Sequence, residues 1–172
     1  MRILIAYASK SGTTAKCAEL LASELAGQTV TVVNLEENTP DPSEFDFTVV
    51  GSPIRFGKLH PAAAEYIKIY EKKLLGVRCG FFICCAYIDS AGEYIRKLIP
   101  YGLRQAADTI ECFGGELVVK NYRGVERFIV RMMRSDILDD GSRDGELNHR
   151  NLPEIMTDAI RRFADEIRRQ KR

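Results

Sequence analysis

Ser9-Lys10-Ser11-Gly12-Thr13-Thr14 packs four hydroxyls and a glycine into six residues, with Lys10 as the only cation. Serine and threonine hydroxyls can each donate a hydrogen bond, and glycine lets the backbone approach a ligand closely. Together they suit a buried phosphate monoester dianion, held by hydroxyls and amides rather than by a cluster of cations. The spacing is neither that of a Walker P-loop nor the Gly-x-Gly-x-x-Gly dinucleotide fingerprint. A Ser/Thr-rich helix cap is the competing reading. The density of hydroxyls and the lack of a dominant cation favour phosphate.

The flanking elements must position that loop. Arg2–Ala8 is a near-continuous apolar run, as expected of a central strand in a parallel sheet. From Thr14 the apolar residues Cys17, Leu20, Leu21 and Leu25 recur at helical spacing. A strand–loop–helix junction turns free N–H groups and the positive end of the helix dipole toward the loop. Further along, the pattern predicts strands at Thr29–Asn34, Phe45–Gly51, Cys79–Ala86 and Gly115–Lys120. Helices are predicted at Pro61–Lys73, at Ala91–Glu111 with Pro100 and Gly102 as interruptions, and at Pro153–Arg169. The last carries Ile155, Ala159, Ile160, Phe163 and Ile167 on one face. This alternation predicts an α/β fold, a doubly wound five-stranded parallel sheet of order 2-1-3-4-5 with ligand loops at the carboxyl ends of its strands. A receiver domain would share the architecture, but its acidic positions are here filled by Ser9-Lys10 and Ser52-Pro53.

Following the first strand directly, the pattern Ser/Thr-x-Ser/Thr-Gly-x-Thr resembles the phosphate loop of flavodoxins, which holds the phosphate of FMN. The resemblance implies FMN as cofactor, with Ser9, Lys10, Ser11, Gly12, Thr13 and Thr14 around its phosphate. In such a sheet the loops after the third and fourth strands flank the same crevice. They carry Ser52, Pro53, Ile54, Arg55, Phe56 and Gly57, then Ala86 and Tyr87. A flat isoalloxazine wants stacking partners, and Phe56 and Tyr87 are the candidates; the plain alternative is that they only cover the sheet end. Gly57 could let a peptide reorient as the flavin N5 gains a proton. His60 could shuttle a proton, or simply lead into the helix that starts at Pro61.

Val50-Gly51-Ser52-Pro53-Ile54-Arg55-Phe56-Gly57 with His60 is similar to the second loop of the flavodoxin-domain group that includes menaquinone-dependent protoporphyrinogen oxidase. Gly114-Gly115-Glu116-Leu117 through Tyr122-Arg123, then Arg127-Phe128, resembles that group's insertion between the last strand and the C-terminal helix. The chain is thus expected to form a single domain over 1–172, with an inserted helix and mobile loop at 122–151. In the insertion Val125, Phe128, Ile129, Met132 and Met133 mark an apolar stripe, and Arg123, Arg127, Arg131 and Arg134 a basic one. Such a helix either docks on an anionic membrane or packs on its own domain.

Composition narrows the classes. The chain has 172 residues, 45% hydrophobic and 28% charged, with a net charge of +1, ordinary for a soluble domain. Residues 1–119 carry 12 basic and 14 acidic side chains and residues 120–172 carry 13 and 10, too mild an excess for a nucleic-acid partner. No apolar stretch is long enough to span a bilayer and no signal peptide is visible, so a cytoplasmic location is expected, at the inner face of the membrane if the basic helix docks. The five cysteines (Cys17, Cys79, Cys84, Cys85, Cys112) show no C-x-x-C spacing. Buried thiols are expected rather than disulfides or a metal site, although vicinal Cys84-Cys85 leaves redox chemistry as an alternative. The acidic residues after Ser135 lack EF-hand order.

Three functions follow. The first is an FMN-binding redox protein that passes electrons through its flavin to a partner protein or a quinone. The second is a quinone-linked flavoenzyme acting on a porphyrinogen-like donor, with no catalytic residue assigned. The third is a flavin-free interaction module, which would have little physical reason to keep the phosphate loop. Arg55 bears on the first two, since a cation near the flavin favours its anionic reduced form and raises the reduction potential.

Overall fold

The computed structural model describes residues 1–116 and 154–169. Its centre is β1 (Arg2–Tyr7), whose residues Ile3, Leu4, Ile5 and Ala6 are all fully buried. Both faces of this strand are covered, which is why its sequence does not alternate. The loop after β1 leads into α1 (Thr13–Glu24), and β2 (Thr29–Asn34) returns parallel beside β1. On the other side of β1 lies β3 (Phe47–Arg55), followed by a two-residue strand β4 (Lys58–Leu59) and by α2 (Pro61–Leu74). Next come β5 (Arg78–Cys84), α3 (Ala91–Leu98), α4 (Tyr101–Ala106), β6 (Thr109–Cys112) and α5 (Thr157–Arg168).

The sheet runs β2-β1-β3-β5-β6 with every neighbour parallel, and β4 folds back antiparallel on β3. Counting only the long strands, this is the expected 2-1-3-4-5 order. Residues two apart on each strand face one side. Ile3, Ile5, Phe47, Val49, Phe82 and Cys84 pack under α1 and α5; Leu4, Ala6, Val50, Cys79 and Phe81 pack under α2 and the α3–α4 segment. Burying each such aliphatic or aromatic side chain contributes about 1.5–3 kcal/mol before the entropy of ordering is counted. The order also puts the loops after β1, β3 and β5 side by side at one end of the sheet.

Several expected elements fall elsewhere. The fifth long strand is Thr109–Cys112, where the pattern predicts helix; Gly115 and Glu116 are outside any strand, and 117–120 lie beyond the described residues. Helix does end early, because Pro100 divides it and α4 stops at Ala106. β-Branched Thr109 and Ile110 then pair with Gly80 and Phe81, satisfying the second edge of β5. α5 begins at Thr157 rather than Pro153, because Ile155 is held in an antiparallel bridge to Gly114 instead of on the helix face. The inserted helix and loop expected over 122–151, with its Arg stripe, also lie outside the described residues.

Gly51 shows how tightly the sheet centre is packed. A Cβ there would sit 2.2 Å from the ring of Phe82. That ring cannot retreat easily, since it stacks on Phe113 at 4.5 Å and Phe113 meets Phe163 edge-on at 5.3 Å. Gly51→Ala should therefore lower unfolding free energy by about 2 kcal/mol, read as a shifted urea midpoint. An unchanged midpoint would mean the aromatic stack is looser than these distances.

Candidate functional site at the carboxyl ends of β1, β3 and β5

β1 delivers the chain into the hydroxyl-rich loop under firm backbone control. Ala8 N–H donates to Gly51 O at 3.0 Å and Leu35 N–H to Tyr7 O at 2.7 Å, fixing the loop's entry between β2 and β3. Gly12 is the N-cap of α1, with φ +91°, and no side chain caps the helix. Ser9 Oγ instead accepts from Gly12 N–H at 3.2 Å, turning the loop. The first helical bond is Lys16 N–H to Gly12 O at 3.0 Å. Helix geometry then leaves the Thr13, Thr14 and Ala15 amides with no intrahelical acceptor.

Thr14 supplies the most telling detail. Its side chain is 1% exposed, and its Oγ1 is buried without a well-formed hydrogen bond, with only the weakly accepting Cys84 thiol beside it. A hydroxyl buried in this way costs about 1–3 kcal/mol unless something satisfies it. The helix-cap reading is not what the geometry provides, since the cap position is a glycine and the threonine hydroxyls cap nothing. Thr13 is also buried, whereas Lys10 is exposed and offers no enclosed cation. Lys16, one turn along α1, is tied to Glu116 at 3.0 Å instead of facing the loop as a free charge.

β3 brings the second set of residues. Ser52 is 2% exposed; its hydroxyl donates to Pro53 O at 3.1 Å and accepts from His60 N–H at 2.9 Å. It thus closes the base of the β3–β4 hairpin, a positioning role for a residue expected to touch cofactor. Pro53, Ile54 and Arg55 are half-buried along the end of the strand. The tip is Phe56-Gly57 with φ +50° and +71°, a turn with both central residues left-handed. Positive φ suits Gly57 but strains phenylalanine, at a cost of about 1–2 kcal/mol. Yet Phe56 is 68% exposed, so no packing among the described residues offsets that strain. A flat ligand laid against the ring would.

After β5, Cys85 N–H is held by Gly114 O at 2.9 Å, Ala86 is half-buried, and Tyr87 stands exposed. The two expected stacking aromatics are therefore solvent-facing residues on loops from adjacent strands. His60 takes the plainer of its two readings. Its Nδ1 accepts from Ala62 N–H at 3.4 Å as the cap of α2, and its Nε2 lies 3.8 Å from Glu36. Sequence reasoning missed the Lys16–Glu116 pair and the contact of Gly115, where a Cβ would lie 3.0 Å from the Cys85 carbonyl. Neither has a local sequence signal, since both join residues far apart in the chain.

A hydroxyl-rich strand–loop–helix, a strained aromatic hairpin and an aromatic third loop thus lie side by side at the carboxyl end of the sheet. A family model described as a flavodoxin domain matches residues 4–144, more than half of the chain. The chain belongs to the flavodoxin family. Among curated relatives of this flavodoxin-family protein, protoporphyrinogen IX dehydrogenase [quinone] of Escherichia coli K12 is 26% identical over 143 residues, spanning 77% of this chain and 78% of that one. Among solved structures, Fusobacterium nucleatum flavodoxin bound to flavin mononucleotide has a TM-score of 0.50 at 13% identity and covers 96% of both chains. Two-electron reduced Megasphaera elsdenii flavodoxin gives a TM-score of 0.50 at 20% identity, over 64% of this chain and 84% of that one.

Proposed function

We propose that this chain is an FMN-binding redox protein that passes electrons through its bound flavin to a partner protein or a quinone. The observation that carries the reading is the hydroxyl-rich loop at the start of α1, where no side chain caps the helix and the buried Thr14 hydroxyl lacks a well-formed hydrogen bond. The flavodoxin-domain match supports it, as does the flavin mononucleotide in a structural neighbour. Ser9, Ser11, Gly12, Thr13 and Thr14 would hold the phosphate. Phe56 and Tyr87 would flank the ring, with Gly57 and Ala86 offering backbone at its edge. When bound, the flavin supplies the electron-carrying chemistry; the protein sets its orientation and its potential. Titrating flavin-free protein with FMN tests this: one-to-one tight binding supports it, and no binding overturns it.

A second reading refines the first: a quinone-linked dehydrogenase with a porphyrinogen-like donor. The 26% identity to a protein named for that activity favours it, together with the basic Arg55 at the end of β3. Arg55→Ala should lower the two-electron potential of the bound flavin, because a cation nearby stabilises the anionic reduced form. An anaerobic spectral titration of both proteins checks this, and an unchanged potential would remove Arg55 from the account. Among the described residues no helix is long and apolar enough to cross a membrane. Our reading places the protein in the cytoplasm, with peripheral contact through the Arg123–Arg134 segment. Co-sedimentation with anionic but not neutral vesicles tests that contact.

A further inference from the structure

All five cysteines are free and buried, yet they are not equivalent. Cys85, where the chain leaves β5, and Cys112, the last residue of β6, have sulfurs 3.5 Å apart. Their surroundings differ in a way that sorts their protons. Cys112 Sγ receives the Gly114 amide at 3.4 Å, aimed back by the left-handed turn at Gly114, φ +73°. Cys85 Sγ lies 3.3 Å from the Tyr87 carbonyl, so its one proton is shared between that oxygen and Cys112 Sγ, two acceptors that keep it a thiol. The Cys85 hydrogen bond and the Gly114 amide hold the Cys112 thiol down to about 7, against burial and the charge of Glu111. The same pairing and burial push Cys85 upward. A thiolate beside a protonated thiol is the arrangement of a nucleophilic and a resolving cysteine.

We propose that Cys85 and Cys112 form a redox-active dithiol, which hydrogen peroxide oxidises to a disulfide that re-anchors the loop carrying Tyr87. In the first step the Cys112 thiolate attacks the peroxide oxygen; the O–O bond breaks, an S–O bond forms, and the leaving hydroxide takes up a proton as water. In the second step Cys85 loses its proton and attacks Cys112 Sγ; the S–S bond forms and the S–O bond breaks, releasing a second water. Two thiols are oxidised by two electrons and one peroxide is reduced to two waters. The reactant is small, which matters for cysteines that are only 5% and 9% exposed. Closing a 3.5 Å contact to a disulfide of about 2.05 Å requires the sulfurs to approach by about 1.5 Å. Oxidation also removes the proton that Cys85 offers to the Tyr87 carbonyl. The loop that begins at Cys85 is therefore the part that must shift.

Cys17 and Cys84 provide an internal control. They also neighbour one another, but deep in the core between α1 and β5, and the Cys17 contact and burial push Cys84 well up. They should stay reduced. The test uses the full chain, flavin-free and FMN-loaded in parallel, so that failure to bind FMN does not affect its outcome. Reduced protein is treated with hydrogen peroxide, alkylated in denaturant and mapped by peptide mass. The expected product is one Cys85–Cys112 linkage, two hydrogens lighter, reversed by dithiothreitol, with Cys17, Cys79 and Cys84 alkylated. Cys85→Ser should convert this product into oxygen adducts on Cys112. Five alkylated cysteines, oxygen adducts without a linkage in the unmutated chain, or a Cys17–Cys84 bond would each overturn the proposal. Should a variant misfold, the unmutated chain decides alone.

Discussion

Thr14→Val is expected to weaken FMN binding at least about tenfold while stabilising the flavin-free protein by about 1 kcal/mol. Valine keeps the shape and β-branching of threonine but removes the hydroxyl. In the flavin-free protein that hydroxyl is buried without a well-formed hydrogen bond, so its loss relieves a desolvation cost. With a phosphate seated at the start of α1 the same group would donate a charge-assisted hydrogen bond, the kind worth about 1.5–3 kcal/mol. The two effects have opposite signs, and this separates a ligand-binding role from ordinary packing. Urea unfolding of the flavin-free protein and fluorescence titration with FMN measure them separately. If both quantities fall together, Thr14 is a structural residue.

Gly114→Ala should cost on the order of 4 kcal/mol, the largest loss foreseen for a single methyl group among the described residues. Two penalties act at once. The residue has φ +73°, where alanine is strained, and its Cβ would lie 2.1 Å from Glu154 O. That oxygen is backbone, already accepting from Gly115 N–H at 3.2 Å, so it cannot swing aside like a side chain. Gly114 also holds Cys85 N–H, and Met156 N–H donates to Phe113 O at 2.9 Å next to it. The substitution therefore strikes where β6, the loop after β5 and the lead into α5 are tied together. A urea midpoint close to that of the unmutated chain would show that the segment around Glu154 yields freely.

The sheet order and the place of the hydroxyl-rich loop between β1 and α1 were readable from sequence because each rests on a local pattern. β1 is a long apolar run, α1 has helical spacing, and the hydroxyls between them need no tertiary contact to be recognised. β6 was not readable: it has four residues, of which only Cys112 is buried, and the apolar run after Gly115 offered a stronger strand pattern. Two-residue β4 is too short to carry any periodicity, although Phe56-Gly57 occupies a turn that usually takes asparagine or glycine first. The constraints on Gly51 and Gly114, the tie between Lys16 and Glu116, and the approach of Cys85 to Cys112 all join distant parts of the chain. No spacing rule reaches them. Nor could spacing show that Ser52 spends its hydroxyl on the backbone of its own loop.

The most direct measurement of the central claim is an anaerobic, spectrally monitored redox titration of the purified protein reconstituted with FMN. The account predicts stoichiometric binding and reversible reduction, at a two-electron potential less negative than that of strongly acidic flavodoxin shuttles. Failure to bind FMN would contradict the phosphate-seat argument built on Thr14 and the start of α1. Tight binding with a potential as low as those shuttles would leave the FMN site standing and contradict the role given to Arg55 and to a quinone acceptor.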